Sequence, residues 1–234
     1  MSDETVIAIF KLGKKAHMAE LLHEGHVFMN TVSYFADLED GSPRSDRDEG
    51  MGYCQQADDA ILKMQHEGEW RTVGKLRGEI RVRDQDLATA NLYSLHARRR
   101  SQYGALLELD RLGFGDSYVC FLDANEFFRR LKNVAAQAGH KLDYATVNYV
   151  DRRTYSGSIG VFRKFSERAA DSELRVAVLP GTGCPLSLYL GDLSDIAMMG
   201  STSERLRLDP KLQTNQRLEP VAQQLSLKRR SSIR

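Results

Sequence analysis

What this sequence lacks narrows its chemistry before anything else does. No apolar run approaches the length of a membrane span, and the start, MSDETVIAIF, is acidic ahead of a short apolar stretch, with no basic flank of a secretory leader. A cytoplasmic protein without a membrane partner is the expectation. Cys54, Cys120 and Cys184 are odd in number and far apart, with no CxxC pair, so they spell neither a disulfide framework nor a zinc site. The histidines give no ligand spacing either: His23 and His26 in LHEGH are separated by a glycine that suits a helix end, and no metal is expected. A GxxxxGK phosphate loop, a dinucleotide fingerprint, a GxSxG elbow and an HExxH helix are all missing. So is charge of one sign. With 33 basic and 32 acidic residues the net charge is +1, too small for a global field that draws the chain to nucleic acid or an anionic surface. No internal repeat or low-complexity segment occurs.

What is present is a succession of short strands with few helices. Thr5 to Phe10 is β-branched and apolar, hence a buried strand. A helix follows with Met18, Leu21 and Leu22 on one face and Gly25 as its cap, and His26 to Val32 returns as a strand closed by Ser33, Tyr34 and Phe35. Asp37 to Gly50 (DLEDGSPRSDRDEG) holds six carboxylates and is expected as an exposed loop, because so many charges resist joint burial. Its Asp46, Asp48 and Glu49 also open a metal-dependent nuclease reading. A hairpin is expected over Ala60 to Val73 with Trp70 on its second strand, then strands at Glu79 to Arg83 and Asn91 to Leu95. The basic stretch His96 to Gln102 follows; Arg98, Arg99 and Arg100 read either as a solvated helix end or as a phosphate-binding patch.

Ser117 to Leu122 is a strand leading into the clearest helix, with Asp123 as N-cap, Glu126 as its capping-box partner, and Phe127, Leu131, Val134 and Ala135 on the apolar face up to Gly139. Gly113 to Asp116 (GFGD) precedes a strand and not a helix, which makes it a turn. Strands at Tyr144 to Val150 and Leu186 to Leu190 and a turn or helix at Leu193 to Met198 complete the pattern. The fold class expected is α+β, with a mixed, mainly antiparallel sheet and few short helices. Residues 1–210 read as one catalytic-type domain. Residues 211–234 read as a polar tail whose Lys228, Arg229 and Arg230 suit RNA, DNA or an acidic partner.

The segment that organises the chain is Val161 to Leu179 (VFRKFSERAADSELRVAVL). In its alternating strand Leu174, Val176 and Val178 point one way, while Glu173 and Arg175 share the other face. Two readings stand: a same-face ion pair, or a carboxylate placed for chemistry.

The ordered combination of IFKLGKKAHMAELLHEGHVFMNTVSYF, DRDEG, FGDSYVCFLDANEFF, VNYVD and FRKFSERAADSELRV resembles a group of bacterial and phage-associated proteins. Through them it is remotely similar to the ADP-ribosyltransferase superfamily. The resemblance spans about residues 5–198 and implies an ADP-ribosyltransferase-like fold, NAD as substrate, and a toxin or anti-phage role with an antitoxin or regulatory partner. It implies Glu173 as the catalytic carboxylate, Asp171 on the acceptor side, and Ser33 with Tyr34, or else Tyr93 with Ser94, beside the nicotinamide. Lys11 stands where the superfamily carries His or Arg, and Arg175 with Lys164 would meet the diphosphate. The acceptor implied is RNA before DNA, or a protein. A non-catalytic nucleic-acid or protein binding module on the same scaffold is the alternative.

Overall fold

The computed structural model describes residues 4–38, 44–57 and 60–208. Lys228, Arg229 and Arg230 lie outside the described residues. β1 (Val6–Gly13) runs into α1 (Lys15–Glu24), ended by Gly25 at φ 63°, a left-handed conformation that costs glycine little. β2 (His26–Thr31) follows, and the Thr31 side chain then caps α2 (Val32–Asp37) by accepting from the Tyr34 amide. Ser33 and Tyr34 are therefore helical and not on a strand. Next come β3 (Met51–Gln56), which the acidic loop masked in the sequence pattern, β4 (Ile61–His66), β5 (Glu69–Lys75), β6 (Glu79–Arg83) and α3 (Gln85–Ala88).

β7 (Asn91–Arg99) is longer than its apolar run suggests, because its basic end pairs with β1. After β8 (Leu106–Leu107) come β9 (Ser117–Phe121) and α4 (Ala124–Gln137). The expected Tyr144–Val150 strand is broken at Val147 into β10 (Leu142–Thr146) and β11 (Asn148–Val150). β12 (Gly157–Ser158), β13 (Arg163–Phe165), β14 (Glu173–Val178) and β15 (Leu186–Tyr189) lead, through the expected turn at Ser194 to Ile196, to the edge strand β16 (Ala197–Ser201), which takes in Ala197 and Met198, and to β17 (Leu206–Arg207).

The main sheet runs β10-β14-β7-β1-β9-β16, with the β2–β15 ribbon joined to β7. Among the described residues every ladder is antiparallel except β11 with β13, so the α+β class with a mainly antiparallel sheet holds. One face of this sheet is covered by α1 and α4, whose Met18, Leu21, Phe127, Phe128 and Leu131 pack on Tyr93, Leu95, Phe121 and Val176. The opposite face carries a smaller cluster of Phe10, Leu12, Leu109 and Tyr118. Asp123 caps α4 through the Glu126 amide at 3.0 Å, but the capping box is only half made. The Asp123 amide donates to the Ile196 carbonyl, and the Glu126 carboxylate turns to Arg129 and Arg130. The β4–β5 hairpin forms as expected, with Glu67 and Gly68 both at positive φ and Trp70 66% exposed. No helix among the described residues is long and apolar enough to cross a membrane.

One feature of the sheet positions the site. β14 pairs along the whole of Asn91 to His96 on one edge of β7. On the other edge, β1 pairs from His96 onward, while β2 pairs only at Asn91 and Leu92. Between them, at Tyr93 to Leu95, the sheet is split. Phe127 is wholly buried at the centre of the helix layer, so Phe127→Ala should cost about 3–5 kcal/mol in urea unfolding, against less than ~0.5 kcal/mol for the exposed Leu122→Ala.

Candidate functional site

The split opens into a cavity of about 500 Å³, within the size range of small-molecule sites. Lys11 reaches it from β1, Phe28 from β2, Tyr34 and Phe35 from α2, and Ser94 from β7; Glu173 closes its floor from β14. These positions follow from strand alternation. In register, Ser94 lies opposite Arg175, and His96 opposite Glu173, so all four share one face of the β7–β14 pair. Ser94 Oγ donates to Glu173 Oε2 at 2.9 Å. Lys11 Nζ fills part of the gap left where β1 departs, donating to the Ser94 carbonyl at 2.9 Å and standing 3.9 Å from the Tyr93 ring centroid.

Beneath the cavity lies a buried ion network. Arg175, 2% exposed, grips Glu49 with two bonds of 2.8 and 2.6 Å, donates from Nε to Glu173 at 2.7 Å, and meets the Val161 carbonyl at 2.8 Å. Lys164 Nζ takes the other oxygen of Glu173 at 2.6 Å and reaches Asp46 at 3.0 Å. The Tyr149 hydroxyl accepts from the Glu173 amide at 2.9 Å. Two cations thus face three carboxylates, all nearly inaccessible, and charge-assisted pairing offsets a desolvation cost that each charge alone would not survive.

The electrostatics follow. Burial favours a protonated Glu173, but the Arg175 and Lys164 charges and their hydrogen bonds outweigh it and hold the carboxyl well below the usual range. Burial and the Arg175 charge work against the Lys164 ammonium, yet Glu173, Glu49 and Asp46 together raise it. Burial and the neighbouring Glu173 charge push Asp171 up. Burial and then the Arg44 charge bring Lys11 down to about 7, with Glu173 opposing. An ionised carboxylate therefore sits beside a lysine poised between its charged and neutral forms.

Of the residues picked out from sequence, Lys11, Tyr93, Ser94, Tyr34, Asp171 and Glu173 all line this cavity. Ser33 instead bonds Thr31 Oγ1 at 3.0 Å, whereas Ser94 reaches the Glu173 carboxylate at 2.9 Å. Arg175 lines the cavity too, but its donors are taken by Glu49, Glu173 and Val161, which corrects the expectation that it meets a diphosphate. Arg98, Arg99 and Arg100 stand apart from the cavity lining; Arg99 pairs with Glu4 at 2.7 Å. The acidic loop is not a wholly solvated one: Asp46 and Glu49 are 7% and 4% exposed. Nor do Asp46, Asp48 and Glu49 act together, since Asp48 turns away to Arg81 at 3.0 Å and to Arg152, leaving the nuclease reading without a cluster.

Sequence reasoning gave Glu49 only a metal-ligand role and not its place opposite Arg175, and it missed Tyr149, Arg44 and Phe114. A signal for Glu49 existed: an arginine inside an otherwise apolar buried strand demands a carboxylate from elsewhere, and DRDEG is one of the two dense acidic runs of the chain. No protein-family model, curated protein or solved structure matches this chain. The site therefore stands on its geometry.

Two outcomes are expected. Arg175→Met strands Glu49 and Glu173 in the interior and should destabilise the fold by about 3–5 kcal/mol in chemical denaturation. Because the Glu173 carboxyl is depressed in the folded state, its contribution is complete above the unfolded carboxylate value of about 4.3 and is lost as pH falls through the lower folded one. The stability gap between wild type and Glu173→Gln should accordingly shrink on acidification below about pH 4.

Proposed function

We propose that the chain is an ADP-ribosyltransferase-like transferase that uses NAD, with Glu173 as its catalytic carboxylate. The observation that supports this reading is the placement of Lys11, Ser94 and Glu173 on three successive strands around one split in the sheet, β1, β7 and β14, all opening into a cavity with aromatic walls. The chemistry suits those residue types. Breaking the bond between nicotinamide and ribose sends the electron pair to the departing ring and leaves an oxocarbenium-like sugar. Glu173, held ionised, would accept a hydrogen bond from a ribose hydroxyl that strengthens as positive charge develops. An acceptor nucleophile then adds to the anomeric carbon and releases its proton. Tyr34, 45% exposed at the cavity wall, offers a ring face for the planar cation before it leaves. Asp171, raised by burial beside Glu173, stands where it could receive the acceptor's proton.

In the same reading the acceptor is a nucleic acid, RNA before DNA, or a protein, and the biological role is that of a cytoplasmic toxin or anti-phage effector restrained by an antitoxin or regulatory partner. A second reading has its own observation. Both oxygens of Glu173 are already engaged, by Lys164 on one side and by Arg175 and Ser94 on the other, which suits a binding module with a locked carboxylate.

Thermal shift and labelled-NAD turnover separate the two. Saturable stabilisation by NAD, weakened in Tyr34→Ala, is expected, because a ligand that binds only the folded state raises its apparent stability. Nicotinamide release should fall by about 100-fold or more in Glu173→Gln while NAD still binds. Equal release by that variant removes the catalytic role; binding without release in wild type selects the binding module. No shift up to about millimolar NAD ends the nucleotide reading altogether.

A further inference from the structure

Outside the cavity, one exposed element has no part in the chemistry above. β4 and β5 pair with each other and with no third strand among the described residues. Two backbone bonds of 2.8 Å, from the Ala57 amide to the Gly78 carbonyl and from the Leu76 amide to the Ala60 carbonyl, join this hairpin to the β3–β6 pair. The result is a two-stranded arm, Ile61–Lys75, on which every side chain is exposed, whichever face it points from. A lone two-stranded ribbon contributes little stability in water, so an arm that displays Trp70, Ile61 and Met64 is explained by what it contacts and not by what it buries.

The two faces of the arm differ in charge. In register, Ile61 lies opposite Lys75, Lys63 opposite Thr72, and Gln65 opposite Trp70, so these six share one face, and it holds no carboxylate. Glu69 belongs to the other face, opposite His66, and Glu67 in the turn stands 3.9 Å from His66. Lys63 and Lys75 have no ion-pair partner among the described residues, and neither do Arg71 and Arg77 beside them. Asp58 and Asp59, just before the arm in sequence, lie outside the described residues. Lysine is depleted from the centre of protein-binding surfaces. Unpaired lysines around an exposed indole suit instead a polyanion with planar bases: an ammonium meets phosphate as a point charge, and an indole stacks on a base of any identity.

We propose that the carboxylate-free face of the β4–β5 arm is a platform for single-stranded nucleic acid, with Trp70 stacking on a base and Lys63 and Lys75 meeting phosphates along the ribbon. This platform deepens the acceptor reading above, resting on it for what becomes of the bound strand and not for the binding itself. The base of the arm is tied to the candidate site. β6 sends Arg81 to Asp48 at 3.0 Å and Arg83 to the Glu49 and Arg47 carbonyls at 3.2 and 2.8 Å. Glu49 is the carboxylate that answers Arg175, so the arm rises from the same loop that completes the charge network under the cavity.

Trp70 is the only tryptophan in the chain, and its emission therefore reports on the arm without a label. The whole chain, without NAD, is titrated with oligoadenylate RNA, oligoadenylate DNA and a DNA duplex, each about 12 nucleotides long. Saturable quenching by the single strands is expected, with weaker binding of the duplex, whose bases are already stacked; the two single strands show which sugar is preferred. Anisotropy of end-labelled strands then ranks the variants. Trp70→Ala should weaken binding by about tenfold or more, and Trp70→Phe should keep most of it. Lys63→Gln and Lys75→Gln should each flatten the slope of log affinity against log salt by about 0.7. Arg111→Gln, at an exposed cation outside the arm, should stay within about twofold of wild type. All these side chains are exposed, so melting temperatures should match wild type. No quenching and no anisotropy change overturns the platform. So does binding that Trp70→Ala leaves unchanged, or duplex bound as tightly as single strands. Emission that responds to the chain's own concentration and not to the strands assigns the face to a second copy and overturns it as well. The arm and the NAD reading fail separately: quenching without stabilisation by NAD supports the arm and removes the transferase, and stabilisation by NAD without quenching does the reverse.

Discussion

Burying one arginine is the constraint on which the rest of this structure depends. Arg175 sits in the middle of a strand whose every residue is buried, and a guanidinium cannot lose its charge to escape the cost. It must instead be surrounded by acceptors. Glu49 arrives from a loop more than a hundred residues away, Glu173 from the same strand face, and a backbone carbonyl completes the set. Lys164 then neutralises what Glu173 and Asp46 leave over. Stability and chemistry are not separable here, because the carboxylate that faces the cavity is one that the arginine needs.

The second constraint is geometric. β7 is a nine-residue strand with one continuous partner on one edge and two discontinuous ones on the other. Where β1 leaves and β2 has not yet arrived, backbone groups lose their ladder, and the Ser94 carbonyl is met by the Lys11 ammonium instead. A split of this kind opens both faces of a strand to one volume, so that Tyr93 and Ser94, on opposite faces of β7, line the same cavity. It is close packing elsewhere, with Phe127, Phe128 and Leu131 of α4 and Leu21 of α1 filling the helix-covered face, that lets the opening persist without collapse.

Much of the fold was legible from local pattern. The alternation in Glu173 to Val178, the apolar β1, the Gly25 cap and the Asp123 N-cap each depend on residues within a few positions of one another, and each formed. What was misread depended on distant partners. The basic end of β7 looked like a solvated helix end or a phosphate patch until β1 paired with it, and the strand expected to run to Val32 stops at Thr31, which caps a short helix over Val32 to Asp37. The capping box failed for the same reason, since Ile196 supplies the acceptor that Glu126 was expected to provide.

The sequence by itself determined the strand-rich class, the mainly antiparallel sheet and the shared face of Glu173 and Arg175, because period and capping are local properties of the chain. Only the tertiary structure decided that Glu49 answers Arg175, that Ser94 rather than Ser33 reaches Glu173, and that Lys11 and Arg44 line one cavity. Those pairings span from about thirty to more than a hundred residues, and no local rule selects among the many carboxylates and hydroxyls available. Desolvation does, by making every other arrangement of these charges too costly to bury.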